Sequence, residues 1–162
     1  MDECDYIVSF LKLQPHPEGG FFASAVEGGS QQKLVEAGTV GRPCFSHIYY
    51  FLPSGEKSQV HCLDADEILH HYIGGSMTIQ ELRTGGELVT TVLGKDLRAG
   101  ERLCHLVPAG SWFSMRAHAQ GSFCLVGCTV SPSFLWEGFR FGSLEELLSL
   151  FPQHEDIIMG LF

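Results

Sequence analysis

A chain of 162 residues with 44% hydrophobic, 18% charged and 11% aromatic residues has the size and apolar content of one compact domain, residues 1–162, and excludes a disordered polypeptide. Nineteen Asp and Glu against ten Lys and Arg leave a formal charge of −9, the wrong sign for displacing counterions from a nucleic-acid backbone or for settling on an anionic membrane. No apolar run approaches the ~18 residues of a bilayer span, and the Met1-Asp2-Glu3 start is acidic where a secretory leader would be basic, so the expectation is a cytoplasmic protein with neither nucleic-acid nor membrane partners.

In chain order, Ile7, Phe10 and Leu11 recur at helical spacing between Asp5 and Leu13, and Pro15 and Pro17 stop the helix. From Phe21 to about Phe141 the pattern changes to short runs of β-formers broken by turn residues. The expected strands are Gly20–Val26, Phe45–Leu52, Lys57–Leu63, Glu67–Ile73, Met77–Arg83, Glu87–Leu93, Leu103–Val107, Trp112–His118, Phe123–Val130 and Phe134–Phe141. That rhythm reads as an all-β sandwich or barrel. The glycine-containing stretch Glu27–Arg42 is the one long irregular excursion, a candidate lid or rim loop. Ser143-Leu144-Glu145-Glu146 is a capping box that starts a helix with Leu144, Leu147, Leu148 and Phe151 on its buried face, ended by Pro152. Six cysteines without paired spacing read as reduced thiols, with Cys124 and Cys128 as small core residues in preference to half of a zinc site.

The richest chemistry lies in His61-Cys62-Leu63-Asp64-Ala65-Asp66-Glu67-Ile68-Leu69-His70-His71. If Leu63–Asp66 is a hairpin turn, His61 on one arm sits near Glu67 on the other, and strand parity places Glu67, Leu69 and His71 on one face. Two imidazoles and a carboxylate would then converge, as general acid–base groups, as a metal ligand set, or as a hydrogen-bonded polar interior. His16-Pro17-Glu18-Gly19-Gly20 is either a stiff connector or a second source of polar groups, His16 and Glu18. Trp112 and Phe113, delivered by the Pro108-Ala109-Gly110-Ser111 turn, are either core or an apolar wall for a ring-shaped ligand. No phosphate loop, dinucleotide fingerprint or Gly-x-Ser-x-Gly elbow is present.

Seven ordered segments carry a family resemblance: His16-Pro17-Glu18-Gly19-Gly20-Phe21-Phe22, Phe45-Ser46-His47-Ile48-Tyr49-Tyr50, Asp66-Glu67-Ile68-Leu69-His70, Leu93-Gly94-Lys95-Asp96-Leu97, Gly100-Glu101-Arg102, Val107-Pro108-Ala109-Gly110-Ser111-Trp112 and Leu125-Val126-Gly127-Cys128-Thr129-Val130-Ser131-Pro132. In this order they resemble the cupin-5 family, small single-domain cupins, over about residues 10–160. The resemblance implies a double-stranded β-helix, or jelly-roll barrel, with short N-terminal and C-terminal helices, a central ligand pocket and a homodimer. Metal-binding cupins carry histidines where this chain has Leu63 and Phe113, so the resemblance implies no resident metal cofactor.

An acid, an imidazole and aromatic walls suit a sugar, a sugar phosphate or a nucleotide-linked sugar, bound by an isomerase or epimerase. In that scheme His61 is the base, Glu67 orients it or shares its proton and Tyr49 is the acid, while Ser46, His71, His16, Glu18, Trp112 and Phe113 surround the ligand. The alternatives are a non-catalytic small-molecule carrier or sensor and a metal-dependent oxygenase or isomerase.

Overall fold

The computed structural model describes residues 2–26, 42–119 and 123–162. The expected rim loop 27–42 lies outside the described residues, except for Arg42. Helix α1 (Glu3–Phe10) starts where the Asp2 side chain accepts from the Asp5 amide. The strands follow as β1 (Gln14–Pro15), β2 (Phe21–Ser24), β3 (Ser46–Pro53), β4 (His61–Leu63), β5 (Asp66–Gly74), β6 (Met77–Leu82), β7 (Leu88–Leu93), β8 (Cys104–Val107), β9 (Trp112–Ala117), β10 (Phe123–Ser131) and β11 (Phe139–Phe141). The chain closes with α2 (Leu144–Leu150) and α3 (Glu155–Leu161). Ser143 caps α2 as the sequence predicts, its hydroxyl accepting from the Glu146 amide at 3.2 Å.

Two antiparallel sheets face each other in jelly-roll fashion. One has the order β1-β2-β3-β10-β5-β8 and the other β11-β4-β9-β6-β7. The alternating pattern of the strands sends Tyr50, Leu52, Leu69, Ile79, Phe113, Met115, Val126 and Cys128 into the shared core. The opposite faces are covered separately: Ile7 and Leu13 pack with Phe51, Phe123 and Leu125, while α2 and α3 bury Val60, Leu82 and Trp112 under Leu147, Phe151, Ile158 and Leu161.

The fold class holds, short terminal helices included, and the differences are local. The Leu63–Asp66 turn closes no hairpin, because β4 and β5 belong to opposite sheets. The run Lys57–Leu63 is a strand only from His61, and Phe134–Phe141 only from Phe139, since a 3₁₀ turn occupies Trp136–Gly138. Helix α3 adds a second C-terminal helix. The N-terminal helix ends at Phe10, short of the expected Leu13.

On the side where β7 and β8 are the outermost strands of their sheets, polar bonds join the two sheets. Glu81 on β6 is fully buried and accepts from Arg83 Nε at 2.7 Å and pairs with His105 Nε2 at 2.9 Å. Thr91 on β7 reaches the other nitrogen of His105. Burial pushes the Glu81 carboxyl up, but the bonds to His105 and Arg83 outweigh it and hold the group below its ordinary value.

Candidate functional site

A cavity of about 240 Å³ opens between the two sheets at the end of the barrel where β4 and β5 meet. The β1–β2 turn contributes His16 and Glu18, β3 contributes Ser46, Ile48 and Tyr50, β4 contributes His61 and Leu63, β5 contributes Glu67, and β10 contributes Cys128 and Val130. Phe134, Trp136 and Phe139, together with Phe22, make the apolar walls.

Glu18 reaches the cavity because its turn is unusually tight. His16 N–H donates to the Gly20 carbonyl at 3.0 Å and Gly19 N–H to the His16 carbonyl at 3.0 Å, while Gly19 and Gly20 take φ of +109° and +68°. A Cβ on Gly20 would lie 2.5 Å from the Phe51 carbonyl oxygen, so only glycine fits between the turn and β3. The Gln59 N–H, donating to the Glu18 carbonyl at 2.7 Å, ties the turn to the chain that leads into β4.

His61 is 2% exposed, its ring centroid 4.2 Å from that of Phe113 and 5.3 Å from that of Phe139. Its Nδ1 sits 2.8 Å from the Gln59 carbonyl oxygen and 3.2 Å from Glu18 Oε2. An acceptor-only carbonyl at that distance places the proton on Nδ1 and leaves Nε2 with the lone pair. Burial lowers the His61 pKa to about 4, and burial does the same to His16. Both imidazoles are therefore neutral at physiological pH, and their short contacts with Glu18 are not ion pairs.

The two carboxyls shift the opposite way. Burial raises Glu67 to about 7, partly offset by a hydrogen bond with the Cys128 thiol. Glu18 is pushed well above the ordinary carboxylate range by burial and then by the charge of Glu67, with the Tyr50 hydroxyl opposing the shift. Tyr50 donates to the Gly19 carbonyl at 2.9 Å, which pins its hydroxyl beside the Glu18 turn. Among the described residues, no Lys or Arg lines the cavity. Arg42 is held by Asp64 through two bonds of 3.0 and 2.9 Å.

Of the residues singled out from the sequence, His61, Glu67, Ser46, His16 and Glu18 come together in the cavity. Tyr49 does not, because strand alternation turns it to the outer face, where it meets Tyr72 at a ring separation of 6.0 Å; its neighbour Tyr50 points inward. His71 keeps the face of Glu67, yet four residues at roughly 3.3 Å each carry it about 13 Å along the strand, and its Nε2 bonds the Gly75 carbonyl. Trp112 packs beneath α2 and α3, with the Arg140 guanidinium 4.8 Å above its ring. Phe113 is buried in the core and supports the His61 ring from behind. Tyr50, Cys128 and the aromatics of 134–139 enter the site unannounced, although four aromatics between Pro132 and Gly142 were a visible sign of an apolar wall.

A family profile described as Cupin superfamily (DUF985), Cupin_5, matches residues 5–142. The chain belongs to this cupin family. The structure of protein SO0799 from Shewanella oneidensis is similar to it at 40% identity and a TM-score of 0.84, covering 99% of this chain and 98% of that one. A hypothetical protein from Leishmania major is 25% identical with a TM-score of 0.88, covering 98% of each chain. Oxalate decarboxylase from Bacillus subtilis, at 14% identity and a TM-score of 0.59 over 91% of this chain and 36% of that one, shares the fold alone. No curated protein matches the sequence.

Cupins raise the question of a metal, and the donors of this one do not fit it. Leu63 presents an aliphatic wall and Phe113 is core, at the two positions where the resemblance places histidines. Among the described residues, no three His, Cys, Asp or Glu side chains are disposed to hold an ion. No helix among the described residues is long and apolar enough to cross a membrane.

Proposed function

We propose that this cupin binds a small, polyhydroxylated ligand of about monosaccharide size, without an anionic group, in the barrel cavity and interconverts it by proton transfer, as an isomerase or epimerase. The observation that carries the reading is that a buried imidazole, His61, and a buried carboxyl, Glu67, line one aromatic-walled cavity, where burial keeps His61 neutral and lifts Glu67 to about 7. A group that titrates near the working pH passes a proton in either direction at least cost. Hydroxyls find partners in His61, Glu67, Ser46 and His16, and the ring face finds Trp136 and Phe139.

The volume and the charge narrow the earlier list. About 240 Å³ is at or below the small end of ligand cavities, which disfavours a nucleotide-linked sugar. Among the described residues the cavity offers a phosphate two carboxyls and no cation, which disfavours a sugar phosphate. In this scheme His61 Nε2 removes the proton beside a carbonyl and returns it to the neighbouring carbon, and Glu67 shuttles the proton between the substrate hydroxyl and carbonyl oxygens. Tyr50, holding Glu18, takes the place that strand parity denies to Tyr49. The reading needs no metal: dialysis against a chelator leaves ligand binding unchanged.

The test is His61→Ala, which retains the fold and abolishes interconversion across a panel of aldoses and ketoses; full turnover by the variant would remove the mechanism. A non-catalytic carrier is the second reading, distinguished by affinity without turnover in the wild-type protein. We also propose a cytoplasmic homodimer, whose contact face would cover Ile68, Tyr72, Ile73 and Leu106, all exposed on the six-stranded sheet. Light scattering at twice the chain mass supports the dimer, and the mass of one chain rejects it.

A further inference from the structure

Glu18 and Glu67 are only 5% and 6% exposed, and both open on the same cavity. A buried carboxylate without a cation is costly, and a second one beside it doubles the difficulty. Among the described lining residues no Lys or Arg is present. With no Lys or Arg beside them among the described residues, burial holds the protons of both carboxyls to higher pH than in water. Around them stand the aromatic side chains of Tyr50, Trp136 and Phe139, a residue class that attracts cations as well as sugar rings. The net charge of −9 draws cations toward the molecule and repels anions at long range.

We infer that the ligand carries a protonated amine, as an amino sugar does, seated with its ammonium facing Glu18 and Glu67 and its ring against Trp136 and Phe139; this rests on the reading of the cavity as a polyol site. The exchange balances in charge. The ammonium enters, a carboxyl proton leaves to water, and the carboxylate so formed accepts the ammonium hydrogen bonds. His61 Nε2 and Ser46 remain for the ring hydroxyls.

Calorimetry at pH 6 in two buffers of different ionisation enthalpy tests this, with glucosamine, galactosamine and mannosamine against their parent hexoses. At that pH the Glu67 carboxyl is still largely protonated. The expected result is at least one amino sugar binding about tenfold or more tighter than its parent hexose, with release of about one proton per site. Glu67→Gln should remove both the preference and the proton release. Parent hexoses that bind as tightly as the amino sugars, or amine binding without proton release in the wild-type protein, overturn this inference and leave the polyol reading standing. Binding of neither class overturns both.

Discussion

His61 on β4 and Glu67 on β5 face one cavity from opposite sheets. The short turn between them is the point where the chain crosses the barrel, so two groups close in sequence become the two sides of a pocket. Their environments push them to opposite states: burial keeps the imidazole neutral down to about 4 and the carboxyl protonated up to about 7.

The pH dependence of stability follows from those shifts. Glu67 titrates at about 7 when folded, against an ordinary 4.5, so the unfolded chain loses the proton first. Its contribution is fully present below pH 4.5 and is lost as pH rises toward 7. Glu67→Gln abolishes that loss. Relative to wild type, the variant should gain up to about 3 kcal/mol between pH 4.5 and pH 7, read from urea unfolding at both ends. A constant difference across that range would show that the carboxyl is not buried in the folded state.

The histidines act with the opposite sign. His16 and His61 fall from 6.5 to about 4, so the unfolded chain takes up protons first as the solution is acidified. Stability is fully present above pH 6.5 and is lost toward pH 4, by up to about 3 kcal/mol per histidine. His16→Gln should flatten the acid side of the profile, and an unchanged slope would place that ring in solvent.

Tyr49 and Tyr50 separate the two faces of β3. Tyr50→Phe removes the donor to the Gly19 carbonyl and the partner of Glu18, and should cost about 1–2 kcal/mol and weaken ligand binding. Tyr49→Phe leaves binding unchanged. The reverse order of effects would mean that the cavity is on the other side of the sheet.

Gly20→Ala should destabilise the fold by more than the roughly 1–3 kcal/mol of a strained φ, because the new methyl meets the Phe51 carbonyl oxygen, and it should displace Glu18 with it. Gly55→Ala is the control: its φ is also positive, but nothing lies within 4 Å of the added methyl. Differential scanning calorimetry of the two variants should rank them clearly. Equal Tm losses would contradict the close approach of the turn to β3.

Much of the architecture was legible in the alternation of β-formers and turn residues, down to the Ser143 cap, because those signals are local. The change of sheet between β4 and β5 was not, since a turn looks alike in sequence whether its strands pair or part. Parity could have settled more: Ser46 and Tyr49 lie at an odd spacing and Trp112 and Phe113 are adjacent, so neither pair can share a face of one strand. His71 shows the limit of parity, which tells the face of a strand but not which end of it meets the cavity.

The most direct test of the central claim is a ¹³C NMR titration of the Glu67 side-chain carboxyl, assigned by comparison with Glu67→Gln. A midpoint near 7 that moves when ligand is added is the result expected of a buried acid that shares the cavity with His61. A midpoint at the ordinary 4.5, unmoved by any ligand, would place the group in water and contradict the site.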